Sequence, residues 1–139
     1  IKPVMETLDV VIVGAEWGEG KRNGWLTSFT IAIIDDDGEL IEVGKVSTGL
    51  KEKKEEGTSY ENMTDILRPL IISEKGKSVT VKAEVVIEVH YEEIQKSPTY
   101  SSGYALRFPR FVRLRDDRGP NDASDIHLLE ELYDTQRGR

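Results

Sequence analysis

Five arginines fall within the twelve residues 107–118, inside the run Ala105-Leu106-Arg107-Phe108-Pro109-Arg110-Phe111-Val112-Arg113-Leu114-Arg115-Asp116-Asp117-Arg118. Most of the other residues in this run are strand formers. A core strand would not carry so many guanidinium groups, because each buried charge needs a partner. The segment is therefore expected at a surface, as a cationic strip tipped by Phe108 and Phe111 and suited to phosphates and base edges. Pro109 narrows the choice further, since proline enters a strand only at an edge or a bulge.

The rest of the chain must supply a fold with such an edge. Leu8 to Ala15 is rich in Val and Ile and reads as a buried strand, followed by the turn-rich Gly18-Glu19-Gly20-Lys21-Arg22-Asn23-Gly24. Leu26 to Ile34 alternates, with Phe29, Ile31 and Ile33 on one face and Ser28 and Thr30 on the other. Asp35-Asp36-Asp37-Gly38 signals a hairpin, and Glu39 to Val46 returns as a third strand. Lys51 to Glu56 is a charge run that reads as a solvated loop. Thr58 and Glu61 have capping-box spacing ahead of Tyr60, Met63, Leu67 and Leu70 on one helical face, with Pro69 bending or ending the helix. Glu74-Lys75-Gly76-Lys77 reads as a turn. Val85, Ile87, Val89 and Tyr91 then alternate with Glu88, His90 and Glu92 as a half-buried strand. Ser97 to Gly103 reads as a loop, Tyr104 to Leu114 as the last strand, and Ser124 to Gln136 as a helix with Ser124 as N-cap.

Three meandering strands, a helix, a fourth strand and a closing fifth are the order of an OB-fold. The expected fold is thus mainly β: a five-stranded OB-fold barrel with one helix between strands 3 and 4 and a C-terminal helix, in a single domain over residues 1–139. The rival is a small antiparallel sheet with two helices.

At 139 residues the chain is long enough for one real core. It has no cysteine, which excludes disulfides and thiolate metal sites. No stretch suits a membrane span or a signal peptide, so a cytosolic protein is the default. The start at Ile1-Lys2-Pro3 suggests a piece of a longer protein. The 32% charged content is compatible with a thermophile.

The net charge of −7 argues against a free-standing nucleic-acid binder, yet the charge is uneven. Residues 1–50 hold four basic and nine acidic groups, residues 101–118 five and two, and residues 119–139 two and five. The positive charge is local, as in one jaw of a clamp whose other parts supply most of the attraction.

Several segments resemble one family. The stretch Ala105–Arg118 resembles motif VI of the ATP-dependent DNA ligases of archaea and eukaryotes, which ends Arg-x-Asp-Lys and is matched here by Arg115-Asp116-Asp117-Arg118, with arginine in place of the last lysine. Ile1-Lys2-Pro3 resembles the tail of the family's motif V. Leu8–Ala15 followed by Gly-x-Gly-Lys-Arg resembles the segment after it, whereas a Walker A loop would need glycine at Ala15 and Ser or Thr at Arg22. Val43-Gly44-Lys45-Val46-Ser47-Thr48-Gly49 resembles the family's Gly-Lys-Val-x-Thr-Gly strand end, and Ala83–Gln95 the strand before motif VI.

The resemblance implies the C-terminal OB-fold domain of such a ligase. It implies that Arg113, Arg115 and Arg118 face the β- and γ-phosphates of ATP, that Asp117 of the same motif is a catalytic residue, and that Lys2 meets the α-phosphate. It implies that Lys21, Arg22, Lys45, Thr48, Arg107 and Arg110 lie on DNA phosphates, with Phe108 at the minor groove of a nick. Strand parity would send Phe108 inward with Val112 and Leu114, unless a bulge at Pro109 changes the phase. Glu88 and Glu93 are candidates to orient nearby arginines, and His90 and His127 have no partners at metal-ligand spacing. Trp17 and Trp25 are expected to pack at the barrel mouth.

The implied cofactors of the whole enzyme are ATP and Mg²⁺, with neither expected bound to this piece. The implied partners are nicked duplex DNA and the upstream nucleotidyltransferase and DNA-binding domains of the same chain. A sliding clamp is a further partner, and no membrane and a monomeric state are expected. No Lys-x-Asp-Gly string carrying the family's nucleophilic lysine occurs, so the piece alone should be inert. Three other readings remain. A stand-alone single-strand-binding OB module would need aromatics spread over its sheet, whereas they amount to 7% and gather near motif VI. A protein-interaction OB domain leaves the arginines unexplained, unless they merely pair with the acidic terminal helix. An RNA ligase or capping-enzyme OB domain is disfavoured by Arg-Phe-Pro-Arg-Phe.

Overall fold

The computed structural model describes residues 7–18, 24–47, 60–115, 119 and 123–137. The Val/Ile-rich run near the start forms β1 (Thr7–Trp17), the long strand around which the sheet is built. Its C-terminal neighbours are β2 (Leu26–Ile34) and β3 (Leu40–Val46), an antiparallel meander turning at Asp35–Gly38. The Asp35 carboxylate fixes that turn by accepting from the amides of Asp37 and Glu39 at 2.8 and 2.9 Å. Helix α1 (Tyr60–Leu67) follows, then a single 3₁₀ turn over Arg68–Leu70, where Pro69 ends the helix. Next come β4 (Ile71–Lys75), β5 (Ser78–Val81), β6 (Val86–His90), β7 (Glu93–Lys96), β8 (Tyr104–Arg107) and β9 (Arg110–Leu114), and finally α2 (Ile126–Arg137).

β1 changes partner along its length. Its first half, Thr7 to Val11, pairs with β6. After an irregularity between Ile12 and Gly14, its second half, Gly14 to Glu16, pairs with β5. One wing of the sheet is therefore β5–β4 and the other is β6–β9, all antiparallel. Gly14 sits at this switch, and a Cβ there would lie 3.1 Å from the Val79 carbonyl oxygen, so the strands approach closely only because the residue is glycine.

The core is the face that the alternation marks. Leu8, Val10 and Ile12 of β1, Phe29, Ile31 and Ile33 of β2, and Ile87 and Val89 of β6 are buried together with Met63 and Leu67 of α1 and Leu129 of α2. The buried hydroxyl of Thr64 is satisfied. It donates to the Tyr60 carbonyl at 2.7 Å and accepts from the Leu26 amide at 2.8 Å, tying α1 to β2. Trp25 stacks on Tyr60 with ring centroids 6.3 Å apart, and the Trp17 indole donates to Glu74 at 2.9 Å beneath Arg68. Both tryptophans pack against neighbouring side chains.

The fold is mainly β, as the sequence implies, but the sheet is not closed into a five-stranded barrel. Seven strands form one sheet, and β7 and β8 form a separate hairpin. The expected closing strand, Tyr104 to Leu114, is the reason. It breaks at Phe108-Pro109 into β8, paired with β7, and β9, paired with β6. β8 only leans on β3. Single bonds from Ser102 N to Glu42 O (3.3 Å) and from Glu42 N to Ser101 Oγ (2.9 Å) stand where a ladder would close the barrel. The segment around Glu74–Lys77, expected as a turn alone, is the tip of the β4–β5 hairpin.

The helical N-cap also shifts by one residue. Asp125, not Ser124, caps α2, its carboxylate accepting from the Leu128 amide at 2.9 Å. Ser124 instead joins β1, its amide donating to the Asp9 carbonyl at 2.8 Å and its hydroxyl accepting from the Asp9 amide at 3.1 Å. Tyr133 of α2 meets Tyr104 of β8 edge-on at 5.3 Å, so the helix spans from β1 to the small hairpin.

Candidate nucleotide and DNA interface

The break at Phe108-Pro109 divides the arginine strip into two parts with different surroundings. Leu106 is buried, and continued alternation would bury Phe108 as well. Instead Phe108 adopts φ +52°, a left-handed conformation that costs a residue with a Cβ about 1–2 kcal/mol. Alternation restarts out of phase after Pro109. Phe111 is buried (4% exposed), while Phe108 stands out at 62% and Val112 is also exposed. The phase does change at Pro109, by a break between two strands rather than a bulge within one, and the inward placement of Phe108 and Val112 does not hold.

Around Phe108 the cations are loosely held. Arg107 donates to Glu93 across the β7–β8 hairpin at 3.0 Å, and its guanidinium lies 5.1 Å from the Phe108 ring centre. Both members of the ion pair are about half exposed. Arg110 is exposed and makes no ion pair among the described residues.

Further along β9 the surroundings tighten. β1, β6 and β9 set Asp9, Glu88 and Arg113 side by side in register. Arg113 Nε donates to Glu88 Oε1 at 2.7 Å while the rest of the side chain is 60% exposed. Arg115, two residues on, is only 12% exposed and reaches back between the two carboxylates, 3.4 Å from Asp9 and 3.7 Å from Glu88. Adjacent carboxylates in a ladder repel, and the guanidinium between them removes that cost. The hydrogen bond from Arg113 holds the Glu88 carboxyl below the usual carboxylate range. Burial works against it, and Thr7 and the positive charges of Arg113 and Arg115 add to the lowering.

The structure therefore brings Arg113 and Arg115 together, and separately Arg107, Phe108 and Arg110. Lys45 lies on β3, three strands from β6–β9, 3.5 Å from Glu16. Lys2, Lys21, Arg22, Thr48, Asp117 and Arg118 lie outside the described residues. The pairing of Glu88 and Glu93 with arginines is borne out, and among the described residues Arg107 and Arg113 pair with sheet carboxylates rather than with the acidic face of α2. Asp9 is the participant that sequence reasoning missed. The available signal was a lone acid inside an apolar strand, which without a register says nothing about its partner. Among the described residues no group of three or more His, Cys, Asp or Glu side chains could hold a metal ion. His127 pairs with Asp36 instead.

An open antiparallel sheet around one long, partner-switching strand, with an arginine edge laid on carboxylates, places the molecule in the class of OB-fold domains. The model of the family described as ATP dependent DNA ligase C terminal region matches residues 22–118, and the chain belongs to that family. It is 57% identical to a DNA ligase of Nanoarchaeum equitans over 99% of this chain and 25% of that protein. It is 53% identical to a DNA ligase of Archaeoglobus fulgidus over 98% of this chain and 24% of that protein. The chain thus spans about a quarter of the length of the curated relatives it matches. Among solved structures it is similar to the ligase domain from M. tuberculosis LigD, with a TM-score of 0.67 and 28% identity over 86% of this chain and 38% of that one. It is also similar to mycobacterial DNA ligase D complexed with ATP and MES, with a TM-score of 0.62 and 27% identity over 86% and 37%.

Proposed function

We propose that this domain serves an ATP-dependent DNA ligase in two steps, using the two parts of the arginine strip separately. In the first step a lysine outside this chain takes AMP from ATP. Pyrophosphate leaves readily only if its growing negative charge is neutralised and its oxygens are held in line. Arg113 and Arg118 supply that on the β- and γ-phosphates, with Asp117 beside Arg118 as a further residue of the same motif, and Lys2 meets the α-phosphate. Arg115 acts from within, keeping the edge on β1 and β6. Mg²⁺ belongs to this chemistry in the whole enzyme, and among the described residues there is no cluster to hold it.

In the second step the domain grips nicked duplex DNA. Phe108 presses on the minor groove as an apolar wedge. Arg107, Arg110, Lys45, Lys21, Arg22 and Thr48 lie on phosphates, which fix position without reading sequence. Most of the attraction comes from the other domains of the same chain, since this one is acidic overall. A sliding clamp is a further partner of the whole enzyme, which acts as a monomer in the cytoplasm, associated with the nucleoid.

The observation that carries this reading is the outward, left-handed Phe108 between the half-exposed Arg107 and the exposed Arg110, which makes no ion pair among the described residues. A backbone held at such a conformation with its ring in solvent is a common mark of a contact site. The test is Phe108→Ala in the full-length ligase. Binding to nicked duplex should fall about thirtyfold, the loss of one central aromatic contact. Unchanged nick binding and sealing would remove Phe108 from the interface.

A further inference from the structure

The strip contains an arrangement that the two-step reading does not explain. Two arginines share one carboxylate, and they differ in every other respect. Arg115 is nearly buried and held by two acids, whereas Arg113 pairs, among the described residues, with Glu88 alone and is 60% exposed. In the ladder Glu88 lies between Asp9 and Arg113.

We propose that Glu88 is a positioning residue for the phosphate step: it clamps the Nε edge of Arg113 so that the terminal nitrogens present a ready-made fork to a polyphosphate, while Arg115, itself anchored on Asp9, holds Glu88 in place. This rests on the reading that Arg113 meets the phosphates of ATP.

The geometry supports each part. A guanidinium carries five N–H donors in a fixed plane. Spending Nε on Glu88 at 2.7 Å leaves both terminal nitrogens of Arg113, which have no partner among the described residues. Those two nitrogens form the edge that matches two oxygens of one phosphate. An exposed arginine otherwise samples many rotamers, and ordering it on binding weakens affinity. The Glu88 bond fixes the orientation beforehand. Glu88 in turn cannot wander, since its carboxylate is mostly buried and also meets Thr7 and Arg115. Arg115 has a second use. When phosphate draws on the charge of Arg113, Glu88 keeps a cation 3.7 Å away, so no buried carboxylate is left alone.

The test is a double-mutant cycle in the full-length ligase. The KM for ATP in lysine adenylylation is measured for the wild type, Glu88→Gln, Arg113→Ala and the double variant. KM is informative because it does not depend on how much of a variant is folded. Glu88→Gln should raise it about tenfold, the scale of one charge-assisted hydrogen bond. Arg113→Ala should raise it at least as much, and the double variant should match Arg113→Ala alone. Glu88→Asp, which keeps the charge on a shorter arm, should recover part of the loss.

Three results would overturn the proposal. A fall in KM on Glu88→Gln would make Glu88 a competitor of the phosphate. Full additivity in the double variant, or loss of kcat with KM unmoved, would make it a structural residue only. Both would leave the phosphate role of Arg113 intact. If Arg113→Ala itself left KM unchanged, the two-step reading would fall and the proposal with it.

Discussion

Phe108 and Phe111 lie three residues apart in the same strip, and the fold treats them oppositely. Phe111 anchors β9 in the core opposite Val89, while Phe108 is turned out on a strained backbone. The same division separates their arginines. Arg113 and Arg115 lie on carboxylates of β1 and β6, whereas Arg107 is half-exposed and Arg110 makes no ion pair among the described residues. One part is preorganised and the other is open. Phosphoryl transfer gains from groups already in place. A groove contact made after a domain movement needs groups that are exposed and readily desolvated.

Substitution should widen or collapse that contrast. The largest effect is expected from Phe111→Ala, which empties a buried aromatic site and should cost about 3–5 kcal/mol in chemical unfolding. Phe108→Gly should cost nothing comparable. Release of about 1–2 kcal/mol of left-handed strain offsets glycine's entropic penalty of about 0.5–1 kcal/mol. A severe loss of stability from Phe108→Gly would mean that its ring is packed after all.

A smaller effect separates the charges. The Glu88 carboxyl lies below its usual range, so its stabilisation is complete above the ordinary carboxylate pKa of about 4. It is lost as pH falls through the lower folded value. The gap in Tm between wild type and Glu88→Gln, worth on the order of 1 kcal/mol at neutral pH, should therefore close on acidification. A gap that persisted in acid would assign the effect to packing rather than charge.

Salt dependence distinguishes the open arginines. Arg110→Ala should reduce the slope of log affinity for nicked DNA against log salt by about 0.9, the loss of one phosphate contact. Arg107→Ala should reduce it less, because Glu93 already answers part of its charge. The smallest change is expected for Asp36→Asn. That pair with His127 is exposed, and its loss should move stability by no more than about 0.5 kcal/mol.

Much of this was legible in the sequence. Alternation gave Phe29, Ile31, Ile33, Ile87 and Val89 to the core, and helical spacing gave Met63, Leu67 and Leu129. The arginine count alone put the last strand at a surface. Two things were beyond local pattern. Barrel closure failed because Phe108-Pro109 splits one expected strand between two partners, and which partner each half takes depends on residues far away in the chain. The Asp9–Arg115 contact joins residues more than a hundred positions apart, and its existence depends on the register of β1 against β6. Ser124 fits an N-cap by type, but Asp125 satisfies the helix because Ser124 is taken by β1.

The division of labour within the strip is tested most directly by single-turnover kinetics of the full-length ligase carrying Arg110→Ala or Arg113→Ala, with adenylylation and nick binding followed separately. The account predicts that Arg113→Ala weakens the ATP step and Arg110→Ala weakens nick binding, each leaving the larger part of the other step in place. Equal losses in the same step from both variants would contradict it.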